Sequence, residues 1–198
     1  MEYLIRQNKT GLFDHSHIGH IDQNMWNFPT VYETAFQMVH LPGRGFAASL
    51  FSFEKNLKTE FHNPGDPVWT DSCLEIFANF APDRTDRYFN IEISAGGGVL
   101  IGVGNNRDDR LSITDFCPYF LPQVTVTPLF WRAFILIPEQ AIEKVFGKIN
   151  FVPGYTFCGN FFKCKEETPD EHFQSWSAVS IPKPDFHRPE YFGTFRIE

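Results

Sequence analysis

The strongest constraint in this sequence is a two-residue period that recurs in short stretches, each bounded by Gly, Pro or a polar turn. Cys73 to Phe80 is the clearest case: Leu74, Ile76, Ala78 and Phe80 fall on one side, Glu75 and Asn79 on the other. Successive side chains of a strand point to opposite faces, so this pattern predicts a β-strand with one apolar and one wet face. Tyr88 to Ser94 repeats it, with Phe89, Ile91 and Ile93 turned inward and Asn90 and Glu92 outward. The intervening Pro82-Asp-Arg-Thr-Asp supplies reversal residues, and the two stretches are expected to pair as a hairpin.

Further strands are expected from Ala35 to Val39, Gly45 to Phe53, Val99 to Val103, Gln123 to Thr127, Phe130 to Ile137, Tyr155 to Cys164 and Tyr191 to Ile197. One helix is expected from Pro138 to Phe146, with Ile142, Val145 and Phe146 on one face and Gly147 placed to end it. About nine short strands and one short helix imply an all-β fold, an antiparallel β-sandwich of jelly-roll or immunoglobulin-like kind with nine or more strands. The 23 Phe residues agree with this, because aromatic side chains favour strands and fill a sandwich core. No repeat, low-complexity tract or linker divides the 198 residues, so the expectation is a single domain over 1–198, with 1–25 as a loosely packed N-terminal arm. The Pro-rich stretch from Ile181 to Glu190 reads as an ordered crossing loop.

A net charge of -7 and a pI near 5.5 argue against nucleic acid and anionic membrane as partners, since polyanions are held by basic faces. No apolar run reaches membrane-spanning length and no signal-like segment opens the chain, so a soluble, by default cytoplasmic protein is expected, or a secreted or periplasmic one if a leader was removed. Cys73, Cys117, Cys158 and Cys164 form no Cys-x-x-Cys pair and are expected as buried, reduced thiols.

Sugars present neutral hydroxyls and patches of C–H, which proteins hold with aromatic faces and with charged or amide groups. Trp69 follows Pro67-Val68 in a Gly/Pro-rich approach to the strand carrying Glu75 and is the first candidate platform. Trp176, between Ser175 and Ser177 after a charged loop, is the second, whereas Trp131 and Trp26 lie in apolar settings and are expected in the core. Pro67-Val-Trp-Thr-Asp-Ser-Cys-Leu-Glu-Ile-Phe and Tyr88-Phe-Asn-Ile-Glu-Ile resemble the central strands of family 9 carbohydrate-binding modules, which are DOMON-like β-sandwiches. Gly104-Asn-Asn-Arg-Asp-Asp-Arg, Gly159-Asn-Phe-Phe-Lys-Cys, Ser175-Trp and Pro184-Asp-Phe-His-Arg-Pro-Glu-Tyr-Phe-Gly are similar to later blocks of the same group. The resemblance implies non-catalytic binding of a mono- or oligosaccharide in the service of carbohydrate catabolism. It implies a sugar clamped between Trp69 and Trp176 and hydrogen-bonded by Glu75, Arg107 and Asn90.

Other chemistries find weaker support in the residues. Glu75 and Glu92 could face one another across adjacent strands, and a glycosidase needs two carboxylates about 5 to 9 Å apart, but acids alternating on a wet face account for both. His15, His17 and His20 are close enough in sequence to converge on zinc, although a polar N-terminal arm explains them more simply. Asn105, Asn106, Asp108 and Asp109 could supply oxygens to a structural calcium, yet their spacing fits no regular loop, so no metal or cofactor is assigned. No serine sits in a nucleophile elbow, and Gly96 to Gly98 precede no helix that could hold a phosphate. A protein-interaction module remains the third class, recognisable by a planar aromatic patch where a sugar binder has a concave slot.

Overall fold

A computed structural model of the protein describes residues 1–10, 13 and 16–198. The elements run β1 (Glu2–Gln7), β2 (Gly19–His20), β3 (Thr34–Leu41), β4 (Gly45–Ser52), β5 (Cys73–Asn79), β6 (Tyr88–Ser94), β7 (Val99–Gly104), β8 (Arg110–Ser112), β9 (Gln123–Val126), β10 (Trp131–Pro138), α1 (Glu139–Phe146), β11 (Thr156–Lys165), β12 (His172–Ser175) and β13 (Gly193–Ile197). No helix among the described residues is long and apolar enough to cross a membrane.

The strands pair in the order β8-β7-β6-β5-β11-β13-β1-β3-β4-β10-β9, with β12 attached to β11 and β2 to β3. The order folds at β1 into two layers: Glu2 to Ile5 pair in parallel with β13, and Arg6 and Gln7 pair in parallel with β3. Every other pairing is antiparallel, so the sandwich is antiparallel apart from the seam that β1 makes. The segment expected as a loose arm therefore contains the strand that joins the layers, and Tyr3, Ile5 and Ile21 are buried in the core.

Each strand expected from the periodicity forms, and the turn between β5 and β6 is closed by Asn79, whose amide donates to the Thr85 carbonyl at 2.7 Å. The helix ends where expected, with Gly147 at φ 77°. β1, β2, β8 and β12 are additions, each too short or too irregular in composition for a periodic signal. Between the layers lies a ring-rich core: Phe36 stacks on Phe161 at 3.6 Å and Phe80 on Phe157 at 4.7 Å. The other face of the β5–β6–β11 sheet is not wet as expected. Phe77, Tyr88 and Phe162 on that face pack with Val179 and with Phe186 of the crossing loop, so both faces of β5 and β6 are buried.

Alternation along β11 sends Lys163 and Lys165 toward Glu54, which leaves β4, while Phe162 and Cys164 face the other way. Glu54 is ion-paired at 2.8 Å to Lys163 and at 2.9 Å to Lys165, and the Ser72 hydroxyl donates to it at 2.8 Å. Burial disfavours the Glu54 carboxylate, yet the two ammonium groups hold its pKa below the ordinary range. Lys163 also donates to Nε2 of His172 at 2.8 Å, and Nδ1 of His172 bonds the Asp170 carbonyl at 2.8 Å, which assigns the neutral ring with its proton on Nδ1.

Burial and the adjacent Lys163 ammonium press the His172 pKa down to about 4. A lowered histidine pKa means stability present above about pH 6.5 and lost as pH falls toward 4. Denaturant unfolding between pH 7 and 4 should show this loss. His172→Gln, which keeps an acceptor for Lys163, should lose stability less steeply, by up to ~1.4 kcal/mol per pH unit.

Candidate functional site

On the outer face of the β5–β8 half of the sheet, the crossing loop and the loop after β7 leave a cleft of about 450 Å³. The strand register builds its floor: Glu75 of β5 lies opposite Glu92 of β6, Phe77 opposite Asn90, and Asn90 opposite Gly102 of β7. Gly102 is needed there, because a Cβ at that position would sit 2.4 Å from the Asn90 amide oxygen. Trp69, Arg107, Arg110, Tyr119, Glu166 and His187 form the walls and mouth.

A polar chain runs across the floor. Arg110 donates through Nη2 to the Asn90 amide oxygen and to the Tyr88 carbonyl, the latter at 3.2 Å, with its guanidinium 4.4 Å above the Tyr88 ring. The Asn90 amide nitrogen then donates to Glu92 at 2.7 Å. Beside them the Cys164 thiol donates to Glu75 Oε1 at 3.0 Å. Glu92 Oε2 and Arg110 Nε and Nη1 are buried with no hydrogen-bond partner among the described residues. Buried polar groups are costly when unpaired, so these atoms keep unused capacity for a polar partner.

Both carboxyls are buried, Glu75 to 2% exposure and Glu92 to 4%. Burial raises the Glu92 pKa to about 7, against the Asn90 and Arg110 contacts that lower it. Burial also raises Glu75 well above the ordinary carboxyl range, helped by Cys164 and by Glu92. The protonated form of Glu75 is thereby favoured relative to a solvated carboxylate, and in that form the group can donate as well as accept.

At the mouth, Trp69 sits in a short helical turn, Val68–Thr70, anchored by the fully buried Val68, and the residue is 40% exposed. Arg107 is held by Asp185 of the crossing loop, with Nε at 3.1 Å and Nη2 at 2.7 Å from one carboxylate oxygen. The same loop is pinned by Phe186 stacked on Phe162 at 4.1 Å and by His187 Nδ1 at 2.9 Å from the Tyr88 hydroxyl.

Trp69, Glu75, Asn90 and Arg107 therefore line one cleft. Trp176, expected beside them on the rim, does not: it is 4% exposed and packs between the layers, 5.0 Å from Phe195 and 6.3 Å from Tyr3. Its ring lies over Gly193, where a Cβ would come within 2.5 Å, and the flanking Ser175 and Ser177 are buried too, so small polar neighbours here signal close packing and not a rim. The two indoles lie on opposite faces of the sheet, and no Trp–Trp clamp forms. Trp131 is fully buried as expected, while Trp26 is half-buried in the outer layer, donating to the Ile181 carbonyl at 2.9 Å. The reasoning from sequence missed Arg110, Tyr119 and Cys164; Arg110 ends the very block Gly104 to Arg110 that carried the resemblance.

Of the metal candidates, His15 lies outside the described residues, and His17 contacts Glu198 at 3.3 Å. In the Asn105–Asp109 turn the Asn106 side chain accepts from the backbone of Asp108 at 2.9 Å and of Asp109 at 3.0 Å, which closes the turn.

The sequence profile described as carbohydrate-binding family 9 matches residues 7–197. In three dimensions the chain is similar to a candidate carbohydrate-binding protein from Bacteroides uniformis ATCC 8492, with a TM-score of 0.84, 23% identity and coverage of 100% of this chain and 99% of that one. It is also similar to a family 9 module from Caldicellulosiruptor kristjanssonii, solved with cellotriose (TM-score 0.72, 9% identity, 100% and 94% coverage) and with glucose (TM-score 0.71, 10% identity, 100% and 96% coverage). No curated protein matches the chain in sequence. With the match running from the first strand to the last, the chain belongs to carbohydrate-binding family 9, a family of non-catalytic modules.

Proposed function

We propose that the cleft binds a mono- or oligosaccharide without cleaving it, with the exposed face of Trp69 stacked on a sugar ring. Glu75, Glu92 and Asn90 on the floor, and Arg107 and Arg110 at the side, take the hydroxyls. One observation carries the reading: a half-exposed indole stands at the mouth of a concave cleft whose floor holds buried polar atoms without protein partners. Hydroxyls that both donate and accept suit a lining that offers two buried carboxyl groups and a guanidinium.

The volume, about 450 Å³, is within the range of small-ligand sites. A concave site also favours a sugar over a protein partner, which would find a planar patch. The related module from Caldicellulosiruptor kristjanssonii holds glucose or cellotriose, and a sugar end of that kind fits a site with one Trp. Tyr119, half-buried on the wall, is the aromatic group placed to take the part of a second face. We assign the chain a role in carbohydrate catabolism on the same grounds.

A glycan array followed by calorimetry tests the reading. Trp69→Ala should weaken binding by about 2–4 kcal/mol, the usual cost of removing a hot-spot aromatic. Trp176→Ala should instead lower unfolding stability by about 3–5 kcal/mol and leave the affinity of the folded protein within a few-fold. Sugar binding that ignores Trp69 would refute the proposal. Gly102→Ala, by driving a Cβ into Asn90, should cost about 1–3 kcal/mol of stability and weaken sugar binding roughly tenfold, about the net worth of one hydrogen bond.

A further inference from the structure

The cleft floor contains a donor set whose two thiols the sugar reading leaves unused. Cys73 of β5 and Cys164 of β11 are directly opposite in the antiparallel register, and Glu75 follows Cys73 on the same face. One ligand atom from each of the three lies within 4.8 Å of the others. All three side chains are buried, and Cys164 and Glu75 open into the cleft.

We propose that Cys73, Cys164 and Glu75 bind a thiolate-seeking divalent cation of the zinc class, with its remaining coordination position directed into the cleft.

Two sulfurs and a carboxylate oxygen are a borderline-soft set, matched to zinc or cadmium and poorly matched to calcium or magnesium. With bonds of about 2.3 Å to sulfur and about 2.0 Å to oxygen, tetrahedral ligands stand roughly 3.5–4 Å apart. The three atoms lie within 4.8 Å of one another and Cys164 Sγ is 3.0 Å from Glu75 Oε1, so reaching this geometry takes adjustments of at most about 1.3 Å, the scale that side-chain torsions supply. Three protein ligands on adjacent strands leave a fourth position, and it faces the cleft that Cys164 and Glu75 line.

The surroundings oppose oxidation of the two thiols, and a bound cation would have to displace their protons. Burial pushes the Cys73 thiol up to about 12 and raises the Cys164 thiol well above its ordinary value, which disfavours a free, reactive thiolate at either. A dication replaces their protons directly: one M²⁺ enters, two thiol protons and the Glu75 carboxyl proton leave through the cleft, and two sulfur bonds and one oxygen bond form. The Glu92 carboxyl, opposite Glu75 and with one oxygen unpartnered, stands beside the site to accept from a water or hydroxyl on the metal.

The site shares Glu75 with the sugar reading, but its test needs no sugar. The reduced, chelator-treated full chain is titrated with Cd²⁺ while the thiolate-to-cadmium charge-transfer band is followed, and Zn²⁺ is then added as competitor. A one-to-one band displaced by Zn²⁺ is expected, and it should persist in Cys117→Ser/Cys158→Ser. Cys73→Ser and Cys164→Ser should each weaken Cd²⁺ binding by more than ~100-fold, beyond the cost of losing an outer-shell partner.

Because a buried serine can unsettle the fold, X-ray absorption on the unmutated protein with one equivalent of Zn²⁺ supplies a second reading: two sulfurs at about 2.3 Å are expected. Absence of a one-to-one band, a band that survives both cysteine substitutions, or a zinc shell without sulfur overturns the site. A parallel sugar titration on the metal-free protein keeps the two conclusions apart: sugar binding with no Cd²⁺ band defeats the metal site and spares the sugar reading, and the reverse result does the opposite.

Discussion

The fold turns on the buried carboxylate of Glu54, held between two lysines of the neighbouring layer. A charge removed from water is tolerated only when it is paired and hydrogen-bonded, and breaking such a pair costs about 3–5 kcal/mol because the partner is left uncompensated. Here the pairs involve β11, which also bonds β5, β12 and β13. Lys163 and Lys165 reach across the layers, so alternation alone turns Phe162 and Cys164 to the opposite face. A link between layers on one side of β11 thereby sets which side chains floor the cleft on the other.

The second consequence is dielectric. A sheet covered on one face would carry Glu75 and Glu92 as ordinary solvated acids, with pKa values near the reference range. The crossing loop, pinned by Phe186 and His187, covers the outer face and makes them buried neighbours instead. The same loop supplies Asp185, which holds Arg107 at the mouth. One segment therefore shapes the recess, excludes water from its floor and orients a cation at its entrance.

Much of the architecture was legible in the sequence because strand alternation survives wherever a face meets the core. β5, β6, β10 and β11 carry it clearly, and the helix shows its Pro start and Gly stop. Four of the five residues singled out for the site share one cleft: Glu75 and Asn90 lie on one face of adjacent strands, as period and register dictate, while Trp69 and Arg107 come from the flanking turn and loop. What periodicity cannot see is whether a polar face meets water or a loop that returns from far along the chain. That is why Glu75 and Glu92 read as wet and are buried, and why Trp176, among serines, reads as a rim residue and fills the core. β1 was illegible for a related reason: its partners, β3 and β13, are distant in sequence and lie in different layers.

That seam has a bearing on how the protein comes into being. Glu2 pairs with Thr194, so nearly the whole chain separates the two edges that close the sandwich. At synthesis rates of about 5–20 residues per second, β1 emerges roughly 10–40 s before the strand that flanks it. During that interval one side of β1 and the flank of β11 that β13 later covers offer open hydrogen-bonding edges, the kind of surface that recruits foreign strands. The interval ends in one step, when the last strand docks between them and leaves neither edge free.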